Sequence, residues 1–360
     1  MSEQPVFLEE VPDGAEDGQP YNSDAAPADA VPAREFRDRP VIVKLDEGSV
    51  PGRGGACLAC VGGVQYLFGG ESRESKNCFP GLFWRTDGKW QEANVTGDPL
   101  RPLSGATMVE VRGALYVFGG QDLDGQSAAT YRLELQAQGE VVCSKWEHAS
   151  APPARNSHAA IALRKHPHVM LVWGGAGPDP RGDAHVLDTR TGEWKEVALE
   201  AGDDGEPPAL QMHNLLPGYF GDSERVMLIG GQHEGGINDS LWELEIDEAG
   251  GHWIAKWLRK DPLPFARASC GIAVQGRTVL VCGGVEQRGG DMGLAPTIWG
   301  LDIDCTEAGP KVTFAEFDDS EGPWPLPRFG LSACSDGTDF LVFGGSAPEA
   351  ERSDLCRIAI

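Results

Sequence analysis

Val64–Gly70 reads Val-Gln-Tyr-Leu-Phe-Gly-Gly, a short apolar run that closes with two glycines. Runs of the same kind recur along the chain, and a diglycine ends each of them. The six pairs are Gly69-Gly70, Gly119-Gly120, Gly174-Gly175, Gly230-Gly231, Gly283-Gly284 and Gly344-Gly345. Successive pairs are 50, 55, 56, 53 and 61 residues apart. A period near fifty residues is typical of repeat proteins, in which each unit packs on its neighbours.

Each repeat reads as four β-strands, which we name A to D in chain order. In the third repeat, strand A lies at 157–163, strand B at 169–173 and strand C at 184–188. Apolar and polar residues alternate in the C strands, as in half-buried strands. A tryptophan opens strand D in four repeats, at Trp90, Trp146, Trp194 and Trp253. Phe314 takes that place in the fifth repeat, and we expect these rings to pack between neighbouring sheets.

Taken together, the strand that ends in diglycine, the aromatic strand C and the tryptophan of strand D resemble the kelch motif. The resemblance covers residues 36–360 and implies an all-β, six-bladed kelch-type β-propeller. The sixth repeat ends without a strand D, whereas a spare strand at 36–45 precedes the first repeat. We expect this N-terminal strand to complete the last blade and close the ring, so removing residues 36–47 should open it.

The acidic composition of the chain indicates where it is disordered and which kinds of partner are disfavoured. Residues 1–34 carry eight acidic side chains and one basic one, with few large apolar groups. Such a segment cannot bury enough surface to offset the entropy of ordering, so we predict a disordered acidic tail at residues 1–35. The net charge of −25 disfavours nucleic acid and anionic membranes, which both bind basic surfaces.

Cysteine content and hydropathy bear on location. Nine cysteines are an odd number, and several occupy apolar strand positions. This pattern favours reduced thiols and a cytoplasmic location over a disulfide framework. No apolar run approaches the roughly 18 residues of a membrane span, so we expect no membrane insertion. We expect a monomeric propeller.

An arginine precedes strand A in five repeats, and Leu210 replaces it in the fourth. The five are Arg53, Arg101, Arg155, Arg267 and Arg328. Because strand A of a propeller lines the channel, these guanidinium groups should gather at its mouth, on the face that carries the B-to-C loops. Two interpretations remain open. The arginines hydrogen-bond carbonyl groups of the adjacent blade, or they form a positive rim for an acidic or phosphorylated peptide. The family resemblance supports the second interpretation, since some kelch adaptors hold acidic peptides with arginines on this surface.

Two more residues are candidate partner contacts. Arg288 lies in the longest B-to-C loop, and loops on a rigid scaffold are where binding residues concentrate. Trp324 has proline on both sides, which suggests either an exposed anchor for a partner or a ring tucked against the last blade.

The sequence therefore predicts a scaffold or adaptor that binds a protein partner, has no enzymatic activity and needs no cofactor. The alternative is a small-ligand-binding protein or a metal-dependent enzyme with its site in the channel mouth. His158 and His213 align in adjacent A strands. Two histidines without a clear carboxylate partner make a poor metal site, which favours the scaffold.

Overall fold

The computed structural model describes residues 36, 39–148, 150–177, 181–200, 202–218, 224–288, 291–306, 309–317 and 327–360. At positions 138, 288, 305, 306 and 309 it describes the backbone alone. The acidic tail expected at residues 1–35 lies outside the described residues.

Nearly all regular structure in these residues is β-strand, and the strands group into blades. The first strand, β1 (Val41–Asp46), joins the last blade. Blade 1 contains β2 (Gly54–Val61), β3 (Val64–Glu71), β4 (Leu82–Arg85) and β5 (Gln91–Glu92). After β6 (Asn94–Gly97), blade 2 contains β7 (Ser104–Val111), β8 (Ala114–Asp122), β9 (Gly125–Gln126), β10 (Thr130–Leu135), a 3-10 turn (Ala137–Gly139) and β11 (Glu140–Trp146).

Blade 3 contains β12 (Ala159–Ala162), β13 (Val169–Trp173), β14 (Ala184–Asp188) and β15 (Glu193–Glu200). Blade 4 contains β16 (Gln211–Gly218), β17 (Glu224–His233), β18 (Gly236–Ile237), β19 (Trp242–Ala249) and β20 (His252–Arg259). Blade 5 contains β21 (Arg267–Ala268), β22 (Gly271–Gln275), β23 (Thr278–Cys282), β24 (Val285–Arg288), β25 (Asp291–Leu294), β26 (Ile298–Thr306) and β27 (Gly309–Phe317). Blade 6 contains β28 (Ser332–Ser335), β29 (Phe340–Phe343) and β30 (Leu355–Ala359).

In blades 1 to 5, strands A to D pair antiparallel in sequence order, as in β12-β13-β14-β15 of blade 3. The ends of strands B extend into short hairpins in blades 2 and 4, where β9 pairs with β8 and β18 pairs with β17. Outer strands of neighbouring blades also pair in parallel, β6 with β11 and β15 with β20. The result is a set of twisted sheets joined at both their inner and outer edges.

The two ends of the described chain meet in one sheet, whose strand order is β1-β30-β29-β28. Val41 lies opposite Ala359 and Lys44 lies opposite Cys356. This is the pairing predicted from the missing strand D of the sixth repeat. A segment from the start of the chain therefore supplies the outer strand of its last blade.

The A strands of neighbouring blades contact one another, including β2 against β28, and between blades 4 and 5 the contact of β16 is with β21, which precedes strand A. Hydrogen bonds at the start of each A strand follow the same path. Backbone N–H groups donate from Gly55 to Gly330, Gly330 to Ser269, Ser269 to Met212, Met212 to Ser157 and Ser157 to Gly105, at 2.8 to 2.9 Å. All six residues have positive φ, including the non-glycine residues Ser157, Met212 and Ser269. This geometry lets each backbone reach the next blade around the channel mouth.

Each diglycine joins two blades. At Gly174 a Cβ atom would stand only 2.8 Å from the carbonyl oxygen of Leu210 in the next blade. The N–H of Gly175 donates to that same oxygen at 2.8 Å. In the same way, the N–H of Gly345 in blade 6 donates to the carbonyl oxygen of Arg53 in blade 1 at 2.9 Å. Both glycines of the pair have positive φ. Glycine is needed here because a side chain would clash with the neighbouring backbone.

Apolar clusters fill the spaces between neighbouring blades. Within the described ranges there are six, and each combines residues of two adjacent blades. The cluster between blades 6 and 1 brings Leu58 and Trp90 against Phe343 and Leu355. Stacking blades in this way buries both faces of sheets that could not be stable alone.

The tryptophans of strand D lie in these clusters, as predicted for Trp90, Trp194 and Trp253, which are buried. The expectation for Phe314 is wrong, because its ring is 52% exposed. Phe314 lies at the outer edge against Trp299, with ring centroids 5.8 Å apart, and the buried aromatic residues on the strands of blade 5 are Trp299 of strand C and Phe317 of strand D. No helix among the described residues has the length and apolar character to cross a membrane.

Candidate functional site

The B-to-C and D-to-A connections lie on one side of the blades, which we call the B–C face. Contacts between the two kinds of connection show this directly. Asn156, before strand A of blade 3, donates its backbone N–H to Ala176 in the B-to-C connection of the same blade at 3.1 Å. Its side-chain amide donates to Gln121 Oε1 of blade 2 at 2.6 Å. The face is therefore continuous across blade boundaries.

Four of the five predicted arginines are buried beneath this face: Arg53, Arg155, Arg267 and Arg328 are at most 3% exposed. The Nη1 atom of each donates to the carbonyl oxygen of the first diglycine residue in its own blade. The donor–acceptor distances are 3.1 Å from Arg53 to Gly69, 3.0 Å from Arg155 to Gly174, 3.4 Å from Arg267 to Gly283 and 2.9 Å from Arg328 to Gly344.

Carboxylates hold two of these guanidinium groups. Asp183 accepts from Arg155 at 2.9 and 2.7 Å, and Asp354 accepts from Arg328 at 2.6 and 3.1 Å. Burial works against ionisation of both carboxyl groups. The hydrogen bonds from the arginines outweigh burial, together with one from His185 to Asp183, and lower the pKa of both aspartates.

The hydrogen bonds of the other two buried arginines go to neutral groups, and Arg267 also forms an ion pair with Glu286 at 4.0 Å. Arg267 donates from Nη1 to the carbonyl oxygen of Thr297 at 2.7 Å. Arg53 lies over the rings of Phe79 and Phe83, 4.3 and 5.4 Å from their centroids. Burial lowers the pKa of Arg53 to about 10 and also lowers the pKa of Arg267.

These arginines thus stabilise the blades, and the accessible positive rim expected from the sequence is not observed for them. The first sequence interpretation describes them better, with one correction. Their side chains bond carbonyls of their own blade rather than of the adjacent one. The link to the adjacent blade is made by the arginine backbone instead, as in the bond from Gly120 N–H to Arg155 O at 2.8 Å.

Arg101 differs from the other four because it lies two residues too early in its connection. The carbonyl that accepts from the second glycine of blade 1 belongs to Leu103, 3.0 Å from Gly70 N. Arg101 is partly exposed and forms a bidentate pair with Asp122. It is the predicted arginine that solvent reaches on the B–C face.

In blade 4, a residue other than arginine donates to the carbonyl group of the first diglycine residue. Leu210 takes the position, as the sequence predicted, and accepts from Gly175. The side-chain amide of Asn238 donates to the carbonyl of Gly230 at 3.1 Å, in place of a guanidinium. Asn238 thus makes the hydrogen bond that an arginine makes in blades 1, 3, 5 and 6, but it lies in the B-to-C connection.

The two remaining candidates can be placed only in part. Arg288 ends β24, at the tip of the β24–β25 hairpin on the B–C face, and its side chain lies outside the description. Trp324 lies outside the described residues. Whether any of the seven candidates contacts a partner stays a prediction.

The sequence reading missed three exposed apolar side chains on the B–C face. Leu123 is 72% exposed at the turn of the β8–β9 hairpin, and Met292 is 51% exposed on β25. Met212 is 36% exposed at the channel mouth. An apolar residue between Asp122 and Asp124, in a turn where polar residues are usual, was the available signal for Leu123.

A cleft of about 350 Å³ opens between blades 3 and 4 on this face. One wall is the run Gly175-Ala176-Gly177, and the other comes from Gln232, His233 and Glu234 at the end of β17. Ala209 and Gln211 also line it. We call this the blade 3–4 cleft.

The central channel contains two buried histidines, the basis of the alternative interpretation. His158 shares a 2.8 Å hydrogen bond with Thr107, and His213 Nε2 lies 3.1 Å from the carbonyl oxygen of Trp173. Burial lowers the pKa of both, that of His213 to about 3, so both are neutral at pH 7. Among the described residues, no group of three or more His, Cys, Asp or Glu is arranged to hold a metal ion.

Similarity to known proteins agrees with this architecture. Human host cell factor 2 is 30% identical over 120 residues, which are 33% of this chain and 13% of that protein. The flagellar outer-arm dynein alpha chain of Chlamydomonas reinhardtii is 29% identical over 170 residues, 46% of this chain and 4% of that one. Kelch domain-containing protein 2 of Bos taurus is 24% identical over 187 residues, 44% of this chain and 43% of that one. The chain thus spans less than half the length of each of these relatives.

A family model described as the KLHDC2/KLHL20/DRC7 Kelch-repeats domain matches residues 42–216 and 142–345. The matched ranges cover most of the chain and include all six diglycines. With the strand order and diglycine contacts above, they confirm the predicted resemblance: the chain belongs to the kelch-repeat family and folds as a kelch β-propeller.

Proposed function

We propose that this protein is an interaction module that holds a protein partner on its B–C face. Kelch-repeat domains generally mediate protein–protein interaction. The observation that carries the choice of face is the distribution of exposed apolar side chains. Of six large ones exposed in the described chain, three lie on this face: Leu123, Met212 and Met292.

Such side chains are suitable anchors. A Leu or Met that becomes fully buried in an interface stabilises it by about 1.5–3 kcal/mol. They stand on hairpins and strand ends held by the blades, so little conformational entropy is lost when a partner binds. The blade 3–4 cleft lies on the same face and adds a concave element.

The prediction that the arginines themselves hold an acidic peptide has less structural support. Arg53, Arg155, Arg267 and Arg328 would have to leave internal hydrogen bonds to reach a partner. Arg101 is accessible, but Asp122 already pairs with it. We therefore centre the proposed contact on the exposed apolar residues. We also keep the cytoplasmic location and monomeric state expected from the sequence as proposals.

The test compares variants that remove exposed apolar groups on and off the B–C face. The combined substitutions Leu123→Ser and Met292→Ser remove two from the face. Val43→Ser and Phe314→Ser form the matched control, because both residues are similarly exposed on outer strands. Proteins that co-purify with the wild type from native cells are identified, and their affinity for each purified variant is measured by calorimetry.

We expect the face variant to weaken binding of a direct partner at least tenfold, which corresponds to about 1.4 kcal/mol. The control variant should bind within twofold of the wild type, with both melting temperatures unchanged. Equal binding by the face variant and the wild type, or a loss confined to the control variant, would contradict the proposal.

A further inference from the structure

The blade 3–4 cleft has an apolar interior made of small residues. Gly175, Ala176 and Gly177 form one wall, and Ala209 also lines the cleft. The residue after Ala209 is Leu210, whereas blades 1, 3, 5 and 6 hold a guanidinium at that position. Blade 4 therefore contributes no guanidinium here, and the buried Arg155 of blade 3, which donates to Gly174 O beside the cleft, is paired with Asp183.

Most of the polar side chains that line the cleft form no hydrogen bond within the described residues. Within the part of the chain that the structure describes, the side chains of Gln211, Gln232 and Glu234 make no hydrogen bond or ion pair. Glu234 is exposed. His233 is partly engaged, because its Nδ1 accepts the N–H of Gly235 at 3.0 Å. The cleft therefore offers a carboxylate and amide oxygens next to small apolar surfaces.

The approach to the cleft is also acidic. The D-to-A connection that ends at Ala209 carries Asp203, Asp204 and Glu206, all exposed. Neither 202–211 nor 232–239 contains a lysine or arginine.

One basic side chain does lie beside the cleft. Arg181 Nε is 2.7 Å from the point that a Cβ atom on Gly177 would occupy. The segments 202–211 and 232–239 carry five exposed carboxylates, Asp203, Asp204, Glu206, Glu234 and Asp239, so together with Arg181 they have a net charge of −4. This balance matches the sign of the whole chain.

We propose that the blade 3–4 cleft binds a lysine or arginine side chain from a basic segment of the partner protein. The aliphatic stem of such a side chain would lie on Gly175-Ala176-Gly177, and its charged end would reach Glu234. This inference rests on the proposed function and names the chemistry of its partner. It differs from the acidic peptide that the arginines suggested, because four of those five arginines are buried, and it agrees with the negative net charge of the chain.

The test uses three pools of immobilised nonapeptides, acetylated and amidated so that their termini carry no charge. Two central positions are fixed as Lys or Arg in one pool, Gln in the second and Glu in the third, and the flanking positions are random. Full-length protein is applied at low and at 0.5 M salt, and the retained fraction is measured. We expect the basic pool to retain at least fivefold more protein than the Glu pool at low salt, with most of this difference lost at high salt.

Variants locate the binding. Glu234→Gln should reduce retention on the basic pool about two- to fivefold, as expected for loss of one exposed ion pair. Ala176→Leu, which fills the cleft without changing charge, should reduce it further. Glu74→Gln is the matched control, since it removes an exposed carboxylate from the same face in blade 1 and should leave retention within 1.5-fold.

Preference for the Glu pool, or retention that Glu234→Gln and Ala176→Leu leave unchanged, would overturn the inference. An equal loss in Glu74→Gln would do the same, because it would indicate a general field effect rather than a site. These outcomes are separable from failure of the proposed function. Loss of partner binding on Leu123→Ser and Met292→Ser, with no preference for basic peptides, would retain the B–C face and reject the basic segment.

Discussion

Arg155→Ala gives the sharpest test of the conclusion that the arginines stabilise blades. The change removes a fully buried guanidinium that donates to Gly174 O at 3.0 Å, to Pro153 O at 3.2 Å and to both oxygens of Asp183. Breaking a buried ion pair by removing one partner costs about 3–5 kcal/mol. Asp183 is 29% exposed and can be partly hydrated, so we expect a loss near the lower end, about 3 kcal/mol.

Arg101→Ala is the matched control, since it removes an arginine from the same kind of connection. The pair with Asp122 is partly exposed, so its loss should cost about 0–1 kcal/mol. Urea unfolding followed by tryptophan fluorescence measures both variants, because Trp90, Trp194 and Trp253 lie in the clusters between blades. The slope m should stay constant across the series.

A double-mutant cycle with Asp183→Ala identifies the source of the loss. We expect part of the cost of Arg155→Ala to come from leaving Asp183 without this arginine. The double variant should then lose at least about 1 kcal/mol less free energy of unfolding than the two single variants lose when added together. A free energy of unfolding for Arg155→Ala within 1 kcal/mol of Arg101→Ala would refute the structural role.

Three further predictions concern the ring and its histidines. Gly174→Ala should destabilise the fold by about 3 kcal/mol or more, since the new Cβ would meet Leu210 O at 2.8 Å. Gly293→Ala is the control, because no atom lies within 4 Å of its Cβ position. It should change the free energy of unfolding by less than about 0.5 kcal/mol in the same urea assay. Removing residues 36–47 should lower the melting temperature and speed proteolysis of blade 6, because β30 loses its outer partner β1; wild-type protease resistance would argue against this closure. Burial lowers the pKa of His213 from 6.5 to about 3, so the unfolded chain binds a proton first, and stability should fall as pH decreases below about 6.5. His213→Gln should flatten that decrease between pH 7 and 4 in urea midpoints, and an unchanged slope would show that other groups cause it.

Local sequence patterns predicted the repeats well. A diglycine after an apolar run marks a place where two backbones come into close contact, because only glycine lacks the Cβ atom that would prevent it. The spare strand at the N-terminus was also visible, because the sixth repeat lacked a strand D. Both inferences needed only chain order and the two-residue period of strands.

The arginine register could not be read with the same accuracy. Arg101 was predicted to be equivalent to Arg155 because both arginines shortly precede strand A. The structure shows that the carbonyl in contact with the preceding diglycine belongs to Leu103. A two-residue offset in a connection has no periodic signal, so only the contact between blades reveals it.

The amino-acid sequence by itself determined that this chain forms kelch repeats and that its first strand completes its last blade, since these follow from side-chain periodicity and from glycine's access to positive φ. Only the tertiary structure decided which charges face the solvent. A guanidinium turns inward when distant residues supply acceptors, as Asp183 does for Arg155 across 28 positions. Four arginines are buried in this way, whereas Asp203, Asp204, Glu206 and Glu234 stay exposed.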